Sequence, residues 1–160
     1  MSKTLALFSC LAAAFALFYF GARTPDPRPA SAPSADFSAA RAMSDISVLA
    51  KVPHPVGSAA NAAARDYLVS RMTALGLAPR LQRAESHGTR RFMGALYASG
   101  AHVENIIGVL PGHDRTTPAL ALMAHYDSVA GSPGAADDAT GVADALEIVR
   151  AIKALSLIHI

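Results

Sequence analysis

Four residues that could do chemistry crowd into MAHYDSVAGSPGAADDATG, Met123 to Gly141: His125, Asp127, Asp137 and Asp138. Only 16% of the chain is charged, so the clustering is notable. An imidazole and carboxylates suit zinc, and a carboxylate can also orient a ligating histidine. His125 and Asp127 are two apart, so an extended backbone points both the same way. The small residues Gly131 to Asp137 (GSPGAAD) can fold back over a strand end. They bring Asp137 and Asp138 to the start of a helical pattern, where the helix dipole keeps a carboxylate ionised. Either aspartate could equally be an N-cap. Residue types alone leave metal binding and capping both open. His54, His87, His102 and His113 have no ligand-like spacing and read as ordinary polar residues; His54, between two prolines, shapes a turn.

These residues need elements to position them. Ala39, Ala42, Met43, Ile46, Leu49 and Ala50 recur at helical spacing until Pro53 stops the pattern. After the turn PHPVGS, Ser58 is the expected N-cap of a second helix. Ala64, Tyr67, Leu68, Met72 and Leu75 form its apolar face, and Gly76 follows it. Pro79 to Glu85 alternates weakly as a strand, and Gly88, Gly94 and Gly100 leave the next stretch ambiguous. Val103 to Leu110 reads as a strand, and HDRTTP as a loop. Ala119 to Ala124, ALALMA, reads as a strand buried on both faces that delivers His125. Val142, Ala145, Leu146, Val149 and Ile152 make a last helical stripe. This order predicts α/β layering around a mixed sheet, with ligands beyond the carboxyl ends of its strands.

Before this domain, Thr4 to Ala22 carries no charge. As a helix it would span roughly 28 Å, close to the hydrocarbon thickness of a bilayer. Its end, FYFGA, suits a membrane interface better than a signal-peptide cleavage site, so residues 1–22 are expected to be an anchor rather than a cleaved signal peptide. Lys3 places the amino terminus in the cytoplasm and the domain outside. Residues 23–36, RTPDPRPASAPSAD, read as an extended, disordered tether that could hold the domain about 40 Å away. The single cysteine, Cys10, permits no internal disulfide. A net charge of +2 is too small to imply nucleic acid, and the pair Arg90–Arg91 reads as solvated.

His125-Tyr126-Asp127 and Gly134-Ala135-Ala136-Asp137-Asp138-Ala139-Thr140-Gly141 together resemble the co-catalytic zinc aminopeptidases of metallopeptidase family twenty-eight, the aminopeptidase Y group. PHPVGS, RDYLVSRMTALGL and VENIIGVLPG extend the resemblance over residues 37 to 154. The anchor adds a likeness to the membrane-bound branch, similar to endoplasmic reticulum metallopeptidase. Ala136 and Thr140 depart from the pattern at positions that are not ligands.

The resemblance implies a three-layer α/β/α sandwich with a mixed central sheet, preceded by one transmembrane helix. It implies two zinc ions per full-length protein, with His125 a ligand of one and Asp137 bridging both. Asp127 would be the catalytic aspartate that supports the histidine, and Asp138 the cap. Peptides with a free amino terminus would be the substrates, at an extracytoplasmic membrane surface. The family's catalytic Glu, a second Glu, a further Asp and a last His find no match up to Ile160. The chain is therefore expected to be an inactive amino-terminal piece, with residues 37–154 its share of the peptidase domain. Residues 155–160, LSLIHI, break the helical pattern and match a translated sequencing adapter, so they are read as a non-native tail. A single-zinc glutaminyl cyclase-like acyltransferase and a non-catalytic scaffold of the same fold are the alternatives.

Overall fold

Four helices form where apolar spacing and capping agree. The structure, a computed structural model, describes residues 3–112, 116 and 118–155. Helix α1 spans Lys3–Gly21 and buries none of its residues. Helix α2 spans Ala39–Leu49, and its N-cap Ser38 accepts from the Arg41 amide. Helix α3 spans Ala59–Ala74; as expected, Ser58 caps it, accepting from the Asn61 amide at 3.0 Å. Helix α4 spans Thr140–Ala154. The loop reading of HDRTTP, with His113, and the tail reading of residues 155–160 fall mostly outside the described residues.

One core joins α2, α3 and α4. Leu49 of α2, Ala64 and Leu68 of α3, and Val142 and Leu146 of α4 are buried together with Ala139. Ile106 and Tyr126 pack at its edge. The transfer of these side chains from water is the main stabilising term, roughly 1.5–3 kcal/mol for each large one. Asp45, buried on α2, accepts from Arg71 Nε at 2.7 Å and from the Tyr67 hydroxyl, which ties α2 to α3. Burial and the Asp45 carboxylate push the Tyr67 hydroxyl pKa up to about 12.

Strands β1 (Arg80–Phe92) and β2 (Ala95–Ile107) form one antiparallel hairpin. The register pairs Arg80 with Ile107 and Phe92 with Ala95. The stretch left ambiguous by its three glycines is thus continuous strand, broken only by the turn at Met93 and Gly94. At its base, Ile106 meets the core and Glu104 takes hydrogen bonds from Arg65 of α3 and Arg83 of β1. Among the described residues this hairpin is the whole sheet.

Two expectations fail. Ala119 to Ala124 lies outside any strand, and Leu120 is 85% exposed. An apolar run becomes a buried strand only when a ladder pairs its backbone, and among the described residues no strand does so. The tether also differs from its reading. Residues 28–36 turn twice and lie against the domain, held by Ser38, Arg41 and Arg150. Arg41 donates to the carbonyls of Ala30, Ala32 and Asp36, and Arg150 to those of Ser34 and Asp36, all at 2.6–2.9 Å. Ser38 Oγ donates to the Pro29 carbonyl at 2.8 Å. Prolines forbid helix, but they leave carbonyls free to accept, and two arginines collect them.

Candidate metal centre

The segment His125–Ser128 is placed by its alternate residues. Tyr126 turns inward, and its hydroxyl donates to the Glu104 carbonyl on β2 at 3.0 Å. Ser128 is buried; its Oγ accepts from the His54 amide at 2.8 Å, and its own amide donates to the His54 carbonyl at 3.3 Å. With 126 and 128 facing in, the two-residue period turns His125 and Asp127 outward together.

The other half of the site comes from the loop Gly134–Ala139. Gly134 has φ +71°, and a Cβ there would lie 2.9 Å from both the Asp137 carbonyl oxygen and Ser128 Cβ. Only glycine lets the loop close on Ser128 in this way. The loop then makes one wide turn, Ala135–Ala139, in which Asp137 and Asp138 leave helical geometry and are joined by a cis peptide. Their side chains part. Asp138 Oδ1 accepts from the Gly141 amide at 3.1 Å, capping α4. A Cβ at Gly141 would stand 2.4 Å from that oxygen, so the cap needs glycine three residues on. Asp137 instead points out, its side chain 91% exposed.

Asp137 meets His125. The distance from Nε2 to Asp137 Oδ1 is 3.0 Å, across twelve residues of sequence. On its other edge, Nδ1 lies 3.0 Å from the Asp127 main-chain carbonyl and 3.5 Å from that residue's carboxylate. Asp127 therefore supports the ring chiefly through its backbone. A carbonyl only accepts, which assigns the ring proton to Nδ1. In the neutral ring Nε2 then presents a lone pair to a carboxylate oxygen. Two lone pairs at this distance repel unless a positive charge lies between them. A proton is one such charge: the Asp137 carboxylate raises the imidazole pKa, burial opposes this, and the Asp127 carbonyl adds to the rise. A metal ion is the other. Zinc bonds of about 2.0–2.1 Å need donor separations near 3.3 Å, so the pair opens by only a few tenths of an ångström.

Nδ1 held, Nε2 bare and an exposed carboxylate beside it fit two ligands of a metal site. Among the described residues no third histidine, cysteine or carboxylate gathers with them. His54, read as a turn residue, is buried; its ring Nδ1 lies 2.9 Å from the Val52 carbonyl. The lock of His54 on Ser128, and Tyr126 on Glu104, went unread in the sequence. Their one signal is the alternation His-Tyr-Asp-Ser, in which the ring and the small hydroxyl occupy the inward positions.

Residues 105–157 match Peptidase family M28. A vacuolar membrane protease of Candida dubliniensis is 34% identical over 112 residues, covering 66% of this chain and 12% of that protein. One from Schizophyllum commune is 33% identical over 114 residues, covering 68% and 12%. One from Laccaria bicolor is 30% identical over 112 residues, covering 68% and 11%. The chain thus spans about an eighth of the length of these relatives. No solved structure matches it. The matched span contains His125, Asp127 and Asp137 as well as the loop glycines that set them, and over that span the chain is similar to peptidase family M28.

Proposed function

We propose that the protein of which this chain is a part is a membrane-anchored zinc exopeptidase, an aminopeptidase acting on peptides with a free amino terminus. One observation carries the reading: His125 Nε2 and Asp137 Oδ1 face each other at 3.0 Å in a geometry that calls for a cation. The match to Peptidase family M28 and the similarity to vacuolar membrane proteases support the reaction class. His125 would hold one zinc through Nε2, with the proton kept on Nδ1 by Asp127. Asp137 has two exposed oxygens, enough to bridge a second ion. Bound zinc supplies Lewis-acid polarisation of a scissile carbonyl and lowers the pKa of water. The chain's own part is orientation: Tyr126 and Ser128 fix the strand-like segment, and Gly134 fixes the loop. The sheet is proposed to be part of a three-layer α/β/α sandwich.

Anchoring rests on α1. Its 19 residues have the length and hydropathy to cross a bilayer, and none of that span is buried, unlike the core helix of a soluble domain. The domain is proposed to face away from the cytoplasm, from Lys3 before the helix. In the full-length protein, metal analysis should find two zincs, and chelation should stop release of amino-terminal residues. Asp137→Ala should abolish both zinc retention and activity; full activity in that variant overturns the reading.

A further inference from the structure

The hairpin tip is built unlike the rest of the surface. Every residue of β1 after Leu81 is exposed. At the far end Phe92, Met93, Leu96 and Tyr97 are all exposed, Met93 at 90%. The register places Arg90 opposite Tyr97 and Arg91 opposite Leu96. Strand alternation then puts Arg90, Phe92 and Tyr97 on one face, and Arg91 and Leu96 on the other. Arg90 lies over the Phe92 ring, 5.4 Å from its centre. Each face thus carries an arginine with apolar or aromatic side chains beside it, and Met93 stands at the outermost point.

Met93 is also an unexpected residue for its place. The two-residue turn holds Met93 at φ +48° and Gly94 at φ +82°. Turns of this kind favour asparagine, aspartate or glycine at the first position, since a Cβ there is strained. The turn accepts that strain and presents an unbranched apolar side chain to solvent. Local folding gives no reason for this choice; a partner at the tip does.

We propose that the tip is a membrane-contact wedge. Met93, Phe92, Leu96 and Tyr97 enter the interface of a bilayer, and Arg90 and Arg91 pair with anionic headgroups. Aromatic rings with adjacent arginines suit the headgroup level, where each basic side chain is drawn to anionic lipid. The bilayer is the occupant favoured because of what lies at the other end of the chain. Residues 22–27 alone connect α1 to Arg28, whose carbonyl is held by Ser38 Oγ and the Ala40 amide. Six residues reach at most about 20 Å. A strand of thirteen residues is about 43 Å long. The hairpin is longer than the free part of the tether, so its tip can touch the surface in which α1 sits. This inference rests on the anchor reading of α1.

The chain has no tryptophan, which permits a single probe. Phe92→Trp in the full chain, reconstituted into phosphatidylcholine vesicles with and without phosphatidylglycerol, reports the tip. The expected result is a blue-shifted emission in the anionic vesicles, quenched at least twofold by brominated lipid. Adding Arg90→Glu and Arg91→Glu should abolish the quenching while the protein still floats with the vesicles through α1. Floating protein with unquenched emission, or quenching indifferent to the charge reversal, overturns the wedge and leaves the anchor intact. Failure to float removes the anchor and the wedge together. A blue shift without vesicles that grows with protein concentration assigns the tip to a second copy and overturns the proposal.

Discussion

Glu147 within α4 and Asp137 just before it are both carboxylates, and their surroundings are opposite. The Glu147 side chain is only 4% exposed, and every approach to it is filled. It accepts from the Ser38 amide and Arg41 Nε, both at 2.9 Å, and from Arg150 at 2.6 and 2.8 Å. Asp137 is open to solvent, and among the described residues its carboxylate meets one partner, an imidazole whose facing nitrogen has no proton to spare in the neutral ring. A carboxylate saturated by fixed donors serves the fold. One left with free lone pairs beside a bare nitrogen can take a cation. The contrast separates structure from chemistry among the acidic residues of this chain.

That contrast can be broken from the structural side first. Glu147→Ala leaves two arginines and the Ser38 amide without their shared acceptor, and should cost about 3 kcal/mol or more in denaturant unfolding. It should also free residues 28–36, seen as faster amide exchange there. The same carboxylate sets a pH dependence. Burial alone would raise its pKa, but the bonds from Arg150, Ser38 and Arg41 outweigh burial and hold it below the usual range. A depressed carboxylate gives stability that is present above its unfolded pKa, about 4.3, and lost as pH falls through the folded value. Unfolding free energy should therefore fall in acid below this pH, with a shallower slope in Glu147→Gln.

Smaller effects sharpen the comparison within the site loop. Gly134→Ala forces a side chain into left-handed backbone and against Ser128, and should cost about 2 kcal/mol, measured by thermal unfolding. Asp138→Ala removes the cap on Gly141 and should cost about 1 kcal/mol. Its neighbour, Asp137→Ala, should change stability by less than about 0.5 kcal/mol, since it holds no backbone group among the contacts seen. A large loss there would make Asp137 a structural residue like Glu147.

The sequence discloses what is local. Ser58 and Gly76 bound α3 because caps and left-handed positions act within one turn, and Gly76 indeed has φ +72°. That His125 and Asp127 share a direction follows from the two-residue period of extended backbone, and the proximity of Asp138 to Gly141 from cap spacing. What stayed hidden depends on partners far along the chain. Arg41 and Glu147 are 106 residues apart, and nothing in either neighbourhood announces the other. The proline segment reads as free because its acceptors are main-chain carbonyls, which every sequence has. ALALMA reads as a buried strand because it is apolar, yet pairing decides strands, and pairing is not written in the run itself. The hairpin was obscured by Gly88 and Gly100, although each sits in register opposite a residue with a side chain, Ser99 and His87.

Zinc binding to the full-length protein and to its two neighbouring aspartate variants tests the central claim most directly. Asp137→Ala should weaken zinc binding at least tenfold, with loss of the zinc-induced shift in the His125 ring resonances. Asp138→Ala should bind within about twofold of the unaltered protein, since its carboxylate is committed to the Gly141 amide. Unchanged zinc affinity in Asp137→Ala, or equal losses in the two variants, would contradict the assignment of His125 and Asp137 to one metal.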